Sequence, residues 1–162
     1  MKKLYLVRHG KSSWSFETLD DYDRPLGKRG RKDVLRMGQY VKEQIPAPDL
    51  ILTSGASRAF YTALHFADYW KYPEEKIVVS DTLYHAGVDA FEKVIHEVKD
   101  FDTVALFGHN PGLTMFHNRI CDSYIDNIPT CGLVVLELGG AGWLGKTTPK
   151  AKQRLFQVPK EL

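Results

Sequence analysis

The chain has 162 residues, of which 43% are hydrophobic and 26% charged, with a formal net charge of +2. That length suits one domain spanning residues 1–162, with the composition of a globular protein. The small net charge gives no case for a nucleic-acid partner, and no stretch approaches the run of about 18 apolar residues that a membrane span needs.

The basic start Met1-Lys2-Lys3 leads into Leu4-Tyr5-Leu6-Val7, a short apolar run read as a buried strand and too short for a signal-peptide core, so a cytoplasmic protein is expected. Residues 11–27 are polar and aperiodic and predict a long loop. From Lys28 to Gln44, Val34, Leu35, Met37, Tyr40 and Val41 fall at helical spacing, and Pro46 and Pro48 end the helix. The basic cluster Lys28 to Lys32 reads as its solvated start. Leu50-Ile51-Leu52 is a second buried strand. Ser54 or Ser57 is positioned to cap the next helix, which runs to about Trp70 with Ala59, Thr62, Ala63, Phe66 and Ala67 inward.

Ile77 to Val79 is a third strand, Phe91 to Val98 a helix, and Val104 to Phe107 a fourth strand. Pro111 suits the first turn of a helix reaching about Cys121. Leu133 to Leu138 is a fifth strand, and Leu155 to Val158 a last one at an edge. Alternating strands and helices predict an α/β three-layer sandwich, with helices flanking a mostly parallel central sheet. Cys121 and Cys131 lack close metal-ligand partners and predict free thiols; no His or carboxylate pair has metal-ligand spacing. His65, His96 and His117 have no motif context and read as structural or exposed.

Ligands of parallel sheets bind beyond the carboxyl ends of the strands. Three polar segments fall there: Arg8-His9-Gly10, Ser54 to Arg58, and Gly108-His109-Asn110. Any one of these residues alone is more simply a structural histidine or a surface arginine. Together they suit phosphoryl transfer. Arginine forks bind phosphate oxygens two at a time, and a neutral imidazole, with an ordinary pKa of about 6.5, attacks phosphorus without a metal.

Leu6-Val7-Arg8-His9-Gly10-Lys11-Ser12 resembles the Arg-His-Gly signature of the histidine phosphatase (phosphoglycerate mutase-like) superfamily. Ser54 to Ala63, in which Arg58 opens a helix followed by Thr62-Ala63, resembles its second segment, and Gly108-His109-Asn110-Pro111-Gly112 its third. Asp21-Tyr22-Asp23-Arg24-Pro25-Leu26 is similar to the segment before the first helix in SixA-type phosphohistidine phosphatases. The resemblance implies a phosphoglycerate mutase-like fold and a phosphatase without cofactor. His9 would be the nucleophile, and Arg8, Arg24, Arg58, His109 and Ser12 would hold the phosphoryl group.

The pattern departs from the family at the general acid. Larger members carry a Glu after the third strand, where this chain reads Thr82-Leu83-Tyr84-His85-Ala86-Gly87. Asp21 is the preferred candidate, with Asp23 and His85 as alternatives. The missing Glu and the absence of a long insertion over the site favour a phosphorylated protein, phosphohistidine above all, as substrate, with inorganic phosphate released. A small phosphate ester, a mutase and a phosphate-binding module are the other readings.

Gly140 to Thr147 is a formal match to the nucleotide-binding Gly-x-x-x-x-Gly-Lys-Thr pattern. No amphipathic helix follows Lys146, so it reads as a glycine-rich turn between strands.

Overall fold

The computed structural model describes residues 1–139 and 151–162. The Gly140 to Thr147 pattern lies outside the described residues. The elements, in chain order, are β1 Lys2–Arg8, α1 Lys28–Gln44, β2 Leu50–Thr53, α2 Ser57–Trp70, β3 Val78–Val79, α3 Val88–Glu97, β4 Thr103–Gly108, α4 Gly112–Ile120, β5 Leu133–Leu138 and β6 Lys152–Gln157. The strands form one sheet in the order β3-β2-β4-β1-β5-β6. β3, β2, β4 and β1 pair in parallel, while β5 runs antiparallel to both β1 and β6. Among the described residues no helix is long and apolar enough to cross a membrane.

Strand side chains alternate faces, and the alternation builds two cores. Tyr5, Val7, Ile51, Ala105 and Phe107 point to the side covered by α1 and α2. Leu4, Leu6, Leu50, Leu52, Val104 and Leu106 point to the side covered by α3 and α4. This is the expected three-layer α/β sandwich around a mostly parallel sheet. All five residues expected inward on α2 are buried. Leu35 of α1 is instead 49% exposed. At 100° per residue it lies off the stripe made by Val34, Met37 and Val41, and the third buried turn is supplied by Gly38.

Neither Ser54 nor Ser57 caps α2. Its N-cap is Ala56, with no side-chain capping bond, and Ser54 is used elsewhere. α3 begins at Val88, three residues ahead of the expected start, with Asp89 in its first turn. Pro111 is the N-cap residue of α4 rather than part of its first turn.

The loop after β1 is ordered. It leaves and returns as a closed arch, through a bridge between Ser12 and Leu26 and through Gly27 N–H donating to Lys11 O at 2.8 Å. Asp21–Asp23 forms a short 3-10 turn within it. The base of the arch presses on α1, where a Cβ on Gly30 would lie 2.1 Å from the Lys11 carbonyl oxygen. Only glycine permits that approach.

Candidate active site

Sheet register brings the first and third motifs together. Arg8 of β1 is paired with Gly108 of β4, so the next residues, His9 and His109, leave the sheet side by side. Their ring centroids are 5.0 Å apart. Thr53 of β2 pairs with Phe107 of β4, which sets Ser54 beside them. Ser54 Oγ lies 2.8 Å from His109 Nε2. Arg58 enters from the first turn of α2, and the arch after β1 brings Asp21 and Arg24 over the same edge.

His9 is buried, and its Nδ1 lies 2.7 Å from the Gly10 carbonyl oxygen. A carbonyl only accepts, so Nδ1 carries the proton and Nε2 holds the lone pair. Nε2 has no hydrogen-bond partner among the described residues. Burial pushes the His9 pKa down to about 4; the Gly10 bond opposes this, and the charges of Arg58, Arg8 and Arg24 add to it. Burial, with the charges of His9, Arg58 and His85, takes His109 down to about 3. Both imidazoles are therefore neutral at neutral pH.

The three arginines are held in distinct ways. Arg8 Nη1 donates to Ile128 O at 3.0 Å. Arg24 Nη1 donates to Ser12 Oγ at 2.5 Å, and its guanidinium lies 3.6 Å from the centroid of the Trp14 ring. Arg58 Nη1 donates to the main-chain oxygen of Asp21 at 2.6 Å. Among the described residues, the buried side-chain polar atoms without a partner are Arg8 Nε, Arg58 Nε and His109 Nδ1. All three belong to this cluster, where unused polar capacity is a mark of a ligand site rather than a packing core.

Asp21 is the surprise. Four hydrogen bonds converge on its carboxylate: Arg24 Nε at 3.1 Å, Arg24 Nη2 at 2.8 Å, Arg58 Nη2 at 2.9 Å and Tyr84 Oη at 2.5 Å. Partial burial works against the charge, but the bonds from Tyr84, Arg24 and Arg58 outweigh it and hold the carboxyl well below the usual range. Asp21 is thus an ionised acceptor at neutral pH, with no proton to give. That state weighs against the general-acid role expected of it. Asp23 is exposed and outside these contacts. His85 stays near: its ring is 4.0 Å from that of Tyr84, and it shares with His109, Asn110 and Met115 the wall of a cavity of about 220 Å³.

The sequence reading missed Tyr84, Trp14 and the pairing of Ser54 with His109. Tyr84 stands edge-on to Tyr22, with centroids 5.0 Å apart, and 5.5 Å from the His109 ring. No periodicity marks it, although it lies in the stretch searched for a missing Glu. Ser12, expected at the substrate, is placed as the acceptor that steadies Arg24. His117 is a core residue, bonded through Nε2 to Gln153 Oε1 at 2.9 Å. Among the described residues no group of three His, Cys, Asp or Glu side chains is placed to hold a metal ion.

Fold and site define an α/β protein that gathers paired histidines and arginines at the carboxyl edge of its parallel strands. Residues 4–100, more than half of the chain, match the Histidine phosphatase superfamily (branch 1), and the protein belongs to that family. An uncharacterized chloroplastic protein of Arabidopsis thaliana is 28% identical over 151 residues, covering 88% of this chain and 69% of its own length. The structure provisionally assigned to phosphohistidine phosphatase SixA of Agrobacterium tumefaciens superposes with a TM-score of 0.79 at 24% identity, over 98% of both chains. The protein histidine phosphatase SixA complexed with tungstate gives 0.79 at 18% identity, again over 98% of both chains. At these identities the likeness is one of fold, and the fold is of the SixA type. The family match ends before His109, so the third motif stands here on the register of β1 and β4.

Proposed function

We propose that the protein is a phosphatase that hydrolyses phosphohistidine on protein substrates through a phosphorylated His9. One observation carries the reading: a buried neutral imidazole, its Nδ1–H fixed on Gly10 O and its Nε2 free, lies in a cluster with Arg8, Arg24, Arg58 and His109. In this reading Nε2 attacks phosphorus while the arginines and His109 hold the phosphoryl oxygens where charge develops. The bond from phosphorus to the substrate nitrogen breaks. Water then attacks phosphorus, the His9–phosphorus bond breaks, and inorganic phosphate leaves with the proton that water gives up.

The ionised state of Asp21 supports a phosphohistidine substrate over an ester. An alkoxide leaving group needs a proton from an acid. A phosphohistidine protonated on its second ring nitrogen leaves as neutral imidazole, already holding the proton it needs. Phosphorylated His9 is built the same way, because Gly10 O keeps its Nδ1 protonated. Binding alone would not need the free Nε2, which argues against a phosphate-binding module. The SixA complex with tungstate, an oxyanion, supports an oxyanion site in this fold.

A substrate panel tests the proposal. Phosphohistidine peptides are expected to exceed phosphoserine peptides and small phosphate esters in kcat/KM by at least tenfold. Better turnover of a sugar phosphate overturns it, in favour of a small-molecule phosphomonoesterase. His85, on the cavity wall beside His109, is the observation that favours this second reading. His9→Ala is expected to abolish turnover and acid-labile labelling while phosphate still binds.

A further inference from the structure

Asp33 is the one deeply buried carboxylate that the chemistry above does not use. It lies in the second turn of α1, and its side chain is only 7% exposed. Among the described residues it accepts no hydrogen bond, and its single ion pair is with Arg29 Nε at 3.6 Å. That pair is weak on three counts. The distance is beyond hydrogen-bond range, the Arg29 side chain is 71% exposed, and the basic residue precedes the acidic one, the poorer order on a helix. A buried charge without close donors is costly, and proteins ordinarily neutralise one with a cation or several N–H groups.

The carboxylate lines a cavity of about 290 Å³ between the start of α1, the segment 127–130 and the residues after β6. Phe156, Val158 and Pro159 give the cavity an apolar side, and Thr130 and Asn127 a polar one. Arg29, Lys160 and Glu161 also line it, but all three are exposed. Asp33 is therefore the one buried charge among its lining residues.

We propose that this cavity binds a compact organic cation, an alkylammonium or guanidinium group on a short apolar stem, with Asp33 as its counter-ion. The cationic head supplies the missing donors to Asp33, and the stem lies on Phe156 and Val158. The site is separate from the His9 cluster, yet it shares a wall with it. Cys131 N–H, next to Thr130, donates to His9 O at 2.9 Å and Arg8 O at 3.0 Å. Ile128 O, two residues before Thr130, accepts from Arg8.

Titration calorimetry of the whole chain tests the proposal, with agmatine and butylammonium as probes and glutarate as the anionic control. Agmatine is expected to bind with a sub-millimolar Kd and glutarate not at all. Asp33→Asn should weaken agmatine at least tenfold, with its thermal melt showing that the variant folds. Val158→Ala, which keeps the charge, should weaken butylammonium severalfold. Absence of cation binding to the wild-type chain at 10 mM, about ten times the weakest affinity proposed, overturns the site. So does equal affinity for the Asp33→Asn variant.

Discussion

Asp21→Asn separates the two roles that its position suggests. The substitution keeps size and shape and removes one negative charge from a carboxylate bonded to Arg24, Arg58 and Tyr84. If Arg24 and Arg58 are the groups that take the phosphoryl oxygens, the Asp21 carboxylate occupies their forks in the resting protein and competes with substrate. A charge about 4 Å away contributes about 1 kcal/mol in water and about 4 kcal/mol at an effective dielectric of 20. The Asp21 side chain is 42% exposed, so the watery end applies, and about 1.5 kcal/mol is a fair working figure. Loss of that competition should tighten inorganic phosphate about tenfold. The assay is competitive inhibition by phosphate, with tungstate as a second oxyanion, run at constant ionic strength. Asp21→Asn should show a lower inhibition constant, a lower KM and a kcat limited by product release. Unchanged or weaker phosphate binding refutes the competition. A loss confined to substrates with basic leaving groups, with phosphate affinity unchanged, would instead restore Asp21 as the acid.

The neutral histidines make stability fall on mild acidification. The unfolded chain takes up protons near pH 6.5, whereas folded His9 and His109 do so only near 4 and 3. Between those values the unfolded state binds more protons, so the folded state loses up to about 1.4 kcal/mol per pH unit for each histidine. Urea midpoints at pH 7, 6 and 5 check this, and a flat profile contradicts it. Gly30→Ala places a Cβ against the Lys11 carbonyl and should cost about 2 kcal/mol or more in a denaturant melt. Gly87→Ala, with nothing within 4 Å of its Cβ, is the matched control and should cost little. Trp14 is 73% exposed and rests on Arg24. Trp14→Ala should therefore raise KM severalfold with little change in melting temperature; a large fall in melting temperature would make it a structural residue instead.

The sandwich and its sheet edge were legible because they rest on short-range pattern. Continuous apolar runs mark strands buried on both faces, and a Gly or Ser beside His9, His109 and Arg58 marks the places where chain and ligand approach closely. The arch over residues 11–27 was not legible. Its order comes from Gly27 meeting Lys11 and Ser12 meeting Leu26, contacts that leave no period in the sequence. Tyr84 was missed for the same reason: its place is set by the 3-10 turn Asp81–Leu83 before it and by a carboxylate sixty-three residues away in the chain. The state of Asp21 was beyond reach too. A carboxylate in a motif reads as acid or base with equal ease, and only its neighbours decide which.

The two halves of the cluster differ in how they are held, and this bears on what each can do. Arg8, His9 and His109 sit at the ends of paired strands, with their backbones locked by β4 and by Cys131 and Gly132 at the entrance to β5. Asp21 and Arg24 belong to the arch, which is held to the body by side-chain bonds rather than strand pairing: Arg58 and Tyr84 to Asp21, Tyr22 to Asp81 and Arg31 to Leu26 O. Buried arginines repel one another, as the depressed basicity of Arg8, caused by burial and by Arg58, indicates. The Asp21 carboxylate offsets that repulsion and keeps the forks of Arg24 and Arg58 oriented. An incoming phosphoryl group would then exchange for a ligand already in place, and the guanidinium groups would need little reorganisation. Any motion required falls on the arch, so the atoms that make and break bonds to phosphorus stay on the rigid edge of the sheet.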